Sequence, residues 1–122
     1  MLVVDDNRDA ADMLAELLRK DGHDVHAEYD GGSALAMLEV LTPDLVLLDL
    51  GMPVVSGYDV IRQIRADARF AANQVVALTG WGQLDDRERT RSAGFDGHLV
   101  KPVSSVDLDR LLQTLPASAA AL

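Results

Sequence analysis

The sequence predicts an α/β fold: one doubly wound sheet of five parallel strands with helices on both faces. Three observations lead to this prediction. Short runs rich in valine and leucine are separated by longer segments with helical periodicity. The runs are too short to be helices, and the β–α alternation repeats five times. Strictly alternating strands and helices favour a parallel sheet that helices cover on both faces, and the strands of such a sheet are buried on both sides.

Five segments are predicted strands, four of them apolar and one more polar. The apolar strands are predicted at residues 2–4, 45–48, 75–78 and 99–100, and the polar strand at residues 24–28. The less apolar strands, near Val25 and Leu99, are expected at the edges of the sheet. This placement matches the flavodoxin-like strand order 2-1-3-4-5.

Four helix starts are predicted from side chains that can accept hydrogen bonds from backbone N–H groups. Asn7, Asp30, Ser56 and Ser104 each precede a predicted helix, and Ser104 with Asp107 resembles a capping box. A further segment, residues 83–93, is compatible with a helix but polar, so we expect this helix to be the least firmly docked.

The apolar positions within the helices predict which side chains face the sheet. The first stripe is predicted at Ala10, Leu14, Leu17 and Leu18, the second at Leu35, Leu38 and Leu41, the third at Val60, Ile61 and Ile64, and the last at Leu108, Leu111, Leu112 and Leu115. Met13 and Met37 are interpreted as core residues. The domain is expected to span residues 1–116, where Pro116 ends the last helix, and residues 117–122 are expected to form a tail or the start of a linker.

The composition excludes several classes of function. The chain has 122 residues, enough for one domain, and 20 acidic against 11 basic residues give a net charge of −9. This balance disfavours a nucleic-acid binder, which needs a basic face, so five arginines are interpreted as solvated helix faces: Arg62, Arg65, Arg87, Arg89 and Arg91. Cysteine is absent, which excludes disulfides and thiolate chemistry. No apolar run is long enough for membrane insertion, and we expect a cytoplasmic protein.

The residues that carry chemistry follow the predicted strands. Asp5 and Asp6 follow the first strand and Asp49 the third, while Thr79 and Lys101 follow the fourth and fifth. Each has an ordinary interpretation by itself, as a capping acid, a turn residue or a surface lysine. In a parallel sheet, however, the carboxyl ends of the strands share one edge, where ligands bind. Their joint placement therefore predicts a site.

Three carboxylates in one place repel each other unless their pKa values rise or a cation lies among them. Oxygen ligands without histidine or cysteine suit Mg²⁺. An aspartate beside Mg²⁺ can attack a phosphoryl group and become an aspartyl phosphate. Lys101 and the metal would supply positive charge to the transferred group, and the Thr79 hydroxyl could donate a hydrogen bond to it.

At this point the sequence resembles the receiver domains of two-component response regulators over nearly its whole length. The segments that carry the resemblance are residues 2–7, 43–53, 56–58, 77–80, 93–96 and 100–102, with Asp49, Thr79 and Lys101 at the family's spacing. The resemblance implies a phosphoacceptor that promotes its own phosphorylation and dephosphorylation and is not an enzyme for small molecules. Its partner would be a histidine kinase or a histidine phosphotransfer domain.

The resemblance also implies the role of each site residue. Asp49 would accept the phosphoryl group and Lys101 would bind it. Asp6 and Asp49 would ligate Mg²⁺ directly, Asp5 through water, and Gly51 through its carbonyl. Thr79 would be the switch hydroxyl, the peptide bond between Lys101 and Pro102 would be cis, and the output surface would be the face of the fourth helix, the fifth strand and the last helix.

Two residues depart from the family's commonest pattern. His98 stands at the second switch position, where tyrosine or phenylalanine is usual. With its neighbours in residues 97–103 it is similar to receivers of hybrid histidine kinases. Trp81, two residues after Thr79, replaces a small or polar residue, and we expect it to lie beside the site.

Two other functions are weighed against the switch. A hydrolase of the haloacid dehalogenase type also uses an aspartate nucleophile with Mg²⁺, but it needs a second aspartate two residues later, where this chain has Gly51. A flavin-binding module needs a phosphate loop after the first strand, where Asp5 and Asp6 would repel a phosphate. Both alternatives are therefore disfavoured.

Overall fold

The computed structural model describes residues 1–70, 72–80 and 87–114, and strands alternate with helices throughout. The strands are β1 Leu2–Val4, β2 His26–Glu28, β3 Leu45–Asp49, β4 Gln74–Thr79 and β5 Gly97–Val100. The helices are α1 Arg8–Lys20, α2 Gly31–Leu41, α3 Gly57–Ala66, α4 Arg87–Ala93 and α5 Ser105–Thr114. The predicted α/β alternation is confirmed. Residues 83–86 of the predicted fourth helix, Leu115 of the last stripe and the predicted boundary at Pro116 lie outside the described residues.

The five strands form one parallel sheet in the order β2-β1-β3-β4-β5, as predicted. β1 and β3 are fully buried, whereas every residue of the edge strand β2 is partly exposed. β2 is shorter than its prediction, because Asp24 and Val25 precede the paired residues. The sheet brings the ends of β1, β3, β4 and β5 to one edge, which is where the site lies.

The core lies on both faces of the sheet. Alternate residues of β3 point to opposite sides, so Val46 and Leu48 belong to one apolar cluster and Leu45 and Leu47 to the other. Residues of α2 and α3 complete the first cluster, and residues of α1 and α5 complete the second. Helices therefore cover both faces, as predicted.

The predicted helix starts are confirmed by side-chain hydrogen bonds. Asn7 accepts from the N–H of Ala10 and Asp30 from that of Ser33. Ser56 forms a complete capping box with Asp59, and Ser104 accepts from the N–H of Asp107. Each bond pairs a backbone donor that the first helical turn leaves free.

Four predictions of burial were wrong, in α1 and α2 and at one arginine. The fully buried residues of α1 are Ala11, Leu14, Ala15 and Leu18, and Leu17 is partly buried and packs against them as predicted. Ala10 is only partly buried and lies outside the core cluster, and Met13 is 67% exposed. The small side chains of Ala11 and Ala15 face the sheet, which turns Met13 to the solvent. Leu41 in the last turn of α2 is exposed, and Arg65 of α3 is largely covered by its partners.

The described residues contain no helix with both the length and the apolar character that crossing a bilayer requires.

Candidate functional site

The predicted site residues meet at the carboxyl edge of the sheet. Asp5 and Asp6 follow β1, Asp49 ends β3, Thr79 ends β4, and Lys101 follows β5. Five side chains that are far apart in the sequence are thus placed on four neighbouring strand ends, which confirms the predicted placement.

The three aspartates form a compact cluster. Asp5, Asp6 and Asp49 each offer a carboxylate oxygen, and these oxygens all lie within 4.8 Å of one another. The side chains of Asp5 and Asp49 are buried, and that of Asp6 is exposed. A group of carboxylate oxygens that is open on one side fits Mg²⁺, which binds few protein ligands and keeps several waters.

Lys101 provides the positive charge that faces this cluster. Its Nζ donates a hydrogen bond to Asp49 Oδ1 at 2.9 Å and lies 3.5 Å from Asp5 Oδ2. Burial by itself lowers the pKa of the Lys101 ammonium, but the bond to Asp49 and the charges of Asp49 and Asp5 outweigh burial, so the pKa is raised. Lys101 therefore stays protonated. The bond between Lys101 and Pro102 is cis, as predicted.

Asp5 is the acid whose ionisation the site disfavours. Burial raises its pKa, and the charge of Asp49 adds to this; a hydrogen bond from the backbone N–H of Asn7 and the charge of Lys101 oppose it, leaving the pKa at about 6. The N–H of Asn7 lies 3.0 Å from Asp5 Oδ1. This donor was missed in the sequence, because any backbone N–H can make such a bond and the side chain of Asn7 signals only its role as a helix cap.

The loop after Asp49 is held against the backbone of that residue. The N–H of Gly51 donates to Asp49 Oδ1 at 3.3 Å, and the N–H of Gly57 donates to the carbonyl of Leu50 at 3.2 Å. A Cβ atom on Gly57 would overlap the carbonyl oxygen of Asp49, so the start of α3 depends on a glycine here. Gly51 is exposed beside Asp49, a position compatible with its predicted role.

Thr79 lies beside the cluster but directs its hydroxyl away from Asp49. The side chain is buried, and Oγ1 donates to the carbonyl of Leu99 on β5 at 3.4 Å. This distance is long for a hydroxyl donor, so the bond is weak. We call this geometry the hydroxyl-out arrangement.

His98, the predicted second switch residue, is half-buried on β5 between two helices. On the side of α4 it lines a cavity of about 160 Å³ with Thr90 and Phe95. On the side of α5 it lines a second cavity of about 340 Å³ with Arg110 and Leu111. His98 thus lines a pocket on each side of the edge strand. Trp81 lies outside the described residues.

Comparison with known proteins gives a consistent result. Residues 1–113 match the family described as response regulator receiver domain. PilH of Pseudomonas aeruginosa is 34% identical over 96% of this chain and 94% of its own length. The DNA-binding dual master transcriptional regulator RpaA of Synechocystis is also 34% identical over 96% of this chain, which spans only 47% of RpaA.

Among solved structures, the chemotaxis protein CheY4 of Vibrio cholerae superposes with a TM-score of 0.87. It is 27% identical, and the superposition covers 94% of this chain and 96% of that one.

Proposed function

The chain belongs to the family of response regulator receiver domains, and from this premise we propose that Asp49 accepts a phosphoryl group from a phosphohistidine in a two-component phosphorelay. The observation that carries the assignment is the position of Asp49 between two charged groups. Its carboxylate belongs to the acidic cluster and also accepts a hydrogen bond from Lys101. A nucleophile with a metal site on one side and a cation on the other suits phosphoryl transfer.

The proposed metal ligands follow the resemblance: Asp6 and Asp49 directly, Asp5 through water, and the carbonyl of Gly51. The closeness of the three carboxylates supports this set. Bound Mg²⁺ would neutralise negative charge on the transferred phosphoryl group. The buried carboxylate of Asp5 would gain a positive neighbour that offsets the burial now raising its pKa.

In the proposed transfer, an oxygen of Asp49 forms a bond to phosphorus while the bond from phosphorus to the donor's imidazole nitrogen breaks. That nitrogen keeps the electron pair of the broken bond. Lys101, which now donates to Asp49 Oδ1, would donate to one of the new phosphoryl oxygens. The protein's contribution is position and charge.

The transfer can be tested with acetyl phosphate as a small-molecule donor. Incubation with Mg²⁺ should add one phosphoryl mass to the intact protein, and the label should be lost at high pH, as expected of an acyl phosphate. Asp49→Asn should abolish labelling, whereas Asp44→Asn, which alters an acid before β3, should not. Equal labelling of Asp49→Asn and the wild type would refute the assignment.

The switch is proposed to begin at Thr79. A phosphoryl group on Asp49 offers a stronger acceptor than the Leu99 carbonyl, which accepts only a long bond from Thr79. When the hydroxyl turns toward Asp49, His98, which lines one pocket beside α4 and another beside α5, would change its position. The face of α4, β5 and α5 would then differ between the two states. A preference of about 1–3 kcal/mol suffices for a usable switch.

NMR with beryllofluoride, a mimic of the phosphoryl group, tests this coupling. Shifts should appear around Asp49 and also at α4 and His98. Thr79→Ala should keep the first set and abolish the second, because the hydroxyl that links them is gone. The proposed coupling is contradicted if the chemical-shift changes of the wild type are confined to the surroundings of Asp49, or if His98 still responds to beryllofluoride in Thr79→Ala.

The proposed partner is a histidine kinase or a histidine phosphotransfer domain, and the similarity of residues 97–103 to receivers of hybrid kinases makes a hybrid kinase one candidate context. We propose no turnover of small molecules, so para-nitrophenyl phosphate should not be hydrolysed. RpaA is named as DNA-binding, but this chain spans less than half of it, so the absence of nucleic-acid binding by these 122 residues stays a prediction from their charge. Cytoplasmic location likewise stays an expectation.

A further inference from the structure

The C-terminal end of α4 is fixed to α3 by Arg65. The Arg65 guanidinium donates to the carbonyls of Asn73 and Gly94 and to Asp96 Oδ2, each at 2.8 Å. Its side chain is only 23% exposed, so these bonds are partly shielded from water. Three bonds from one guanidinium, one of them to a carboxylate, hold the turn between α4 and β5 firmly.

Among the described residues of α4, Arg89 makes an exposed contact with α3. The Arg89 guanidinium lies over the ring of Tyr58, with 4.4 Å between its central carbon and the ring centroid. Arg89 is exposed, and an exposed cation–π contact is among the weaker interactions in proteins. The other described side chains of α4 include no large apolar group that could replace it, since the sequence of this helix is polar.

Tyr58 connects this contact to the phosphoacceptor. It follows Gly57, whose Cα packs directly on the backbone of Asp49 and Leu50. Its ring also packs edge-on against Phe95, with the ring centroids 6.2 Å apart. The Tyr58 ring is therefore in contact with Arg89 of α4 and with Phe95 just after that helix, while its backbone adjoins the loop that carries Asp49.

We propose that the contact between Arg89 and Tyr58 is a latch that favours the hydroxyl-out arrangement, and that α4 pivots about Gly94 when the latch opens. The inference rests on the proposed function, because it describes how that switch is held at rest. The contact coexists with the bond from Thr79 to Leu99 in the structure, and a movement of α4 away from α3 would break it. Gly94 has a φ of +112°, a conformation that glycine adopts without strain, and Arg65 keeps it in place.

A latch of this kind predicts that its removal promotes activation. A substitution that destabilises only the hydroxyl-out arrangement shifts the protein toward the arrangement in which the Thr79 hydroxyl faces Asp49. It therefore raises the affinity for a ligand, such as beryllofluoride, that prefers this second arrangement. Arg89→Ala should therefore lower the beryllofluoride concentration at half-saturation by about two- to five-fold at saturating Mg²⁺, the ratio that corresponds to an exposed cation–π contact. Titration followed by NMR at the α4 amides measures it.

Arg62→Ala is the matched control. Arg62 is an exposed arginine on α3 that pairs with Asp59, so its replacement makes the same change in net charge and should leave the half-saturation concentration unchanged. Tyr58→Leu supplies a second test, since Arg89→Ala should have no further effect in that background.

The latch is overturned if Arg89→Ala and Arg62→Ala have the same half-saturation concentration, or if Arg89→Ala weakens beryllofluoride binding. It is also overturned if Arg89→Ala has the same effect in the Tyr58→Leu background as in the wild type. Failure of the proposed function gives a different result, because then the wild type itself shows no beryllofluoride response at α4.

Discussion

At the scale of single residues, the site concentrates negative charge that one lysine only partly offsets. Asp5 and Asp49 are buried beside the exposed Asp6, and Lys101 bonds to Asp49 more closely than to Asp5. Two unit charges 4 Å apart interact by about 4 kcal/mol at an effective dielectric constant of 20, so repulsion between neighbouring carboxylates is substantial. Burial, together with the charge of Asp49, raises the pKa of Asp5 to about 6.

This shift predicts a pH-dependent effect of Asp5→Asn in metal-free protein. Because the folded pKa of Asp5 lies above the ordinary value of 3.8, the folded state binds more protons than the unfolded state between these values, and the Asp5 contribution to stability falls as pH rises from about 4 to about 6. Asn resembles the protonated acid. The variant should thus be more stable than the wild type at pH 7.5 and similar to it at pH 4.5, in urea unfolding with a chelator present.

One pKa unit corresponds to about 1.4 kcal/mol, so the gain at pH 7.5 should be between about 1 and 3 kcal/mol. Equal stability of the two proteins at both pH values would mean that Asp5 is not strained in the folded site. Asp24→Asn, a change outside the cluster, serves as the control.

At the scale of elements, the connection from β3 to α3 sets the geometry of the site. α3 begins against the backbone of Asp49, and Ser56 and Asp59 fix its first turn through a capping box. The buried residues Val60, Ile61 and Ile64 hold the rest of the helix on the sheet. The position of the Asp49 loop therefore depends on packing that extends well beyond the loop.

A pair of glycine substitutions tests this dependence. Gly57→Ala should lower the free energy of unfolding by about 2 kcal/mol or more, because the new Cβ would overlap the Asp49 carbonyl. It should also slow labelling by acetyl phosphate. Gly32→Ala in α2 is the matched change, and there the new Cβ meets only Asp30 Oδ1 at 3.5 Å, so stability should be unchanged or rise by up to about 1 kcal/mol. Equal effects of the two substitutions in urea unfolding would contradict the close packing of Gly57.

The elements were predictable where local chemistry decides them. The β3 strand follows from its continuous apolar run, and α1 begins directly after Asn7 because its side chain accepts a hydrogen bond from the first helical turn. The rotation of α1 was not predictable, since apolar residues occur on two sides of the helix and only tertiary packing buries Ala11 and Ala15 while leaving Met13 exposed. The burial of Arg65 has the same cause, because its partners lie in loops distant in sequence.

The site was predictable to a similar degree. The carboxyl ends of parallel strands share one edge of the sheet, so the sequence predicts that Asp49, Thr79 and Lys101 lie together. The direction of the Thr79 hydroxyl was not predictable, because it depends on how close each side-chain rotamer brings Oγ1 to the Leu99 carbonyl oxygen. Differences of a few tenths of an ångström in donor–acceptor distance decide which acceptor such a hydroxyl uses, and the spacing of residues in the sequence does not specify distances this finely.

At the scale of the whole molecule, the net charge is −9 and three acids cluster at one edge of the sheet. A cation bound there would reduce their repulsion and stabilise the folded state. A ligand that binds only the folded state adds RT ln(1 + [L]/Kd) to the free energy of unfolding, about 2.7 kcal/mol at 100 times Kd. Mg²⁺ should therefore raise Tm progressively with concentration, and the rise should far exceed that given by NaCl of equal ionic strength.

Asp6→Ala should remove this stabilisation, because Asp6 is the exposed member of the cluster and is accessible to an incoming ion. Asp12→Ala, which removes an exposed acid from α1, should keep it. A Tm that does not respond to Mg²⁺ in the wild type, or an equal response in Asp6→Ala, would exclude a metal site at this edge.

The most direct test of the central claim is to locate the phosphoryl group chemically. Borohydride reduces an aspartyl phosphate to homoserine, and peptide mass spectrometry then identifies the modified residue. After treatment with acetyl phosphate and Mg²⁺, homoserine should appear at position 49 alone, and omission of Mg²⁺ or the phosphodonor should prevent it. Homoserine at Asp5, at Asp6 or outside the cluster, or equal modification without Mg²⁺, would contradict the assignment of Asp49 as the metal-dependent phosphoacceptor.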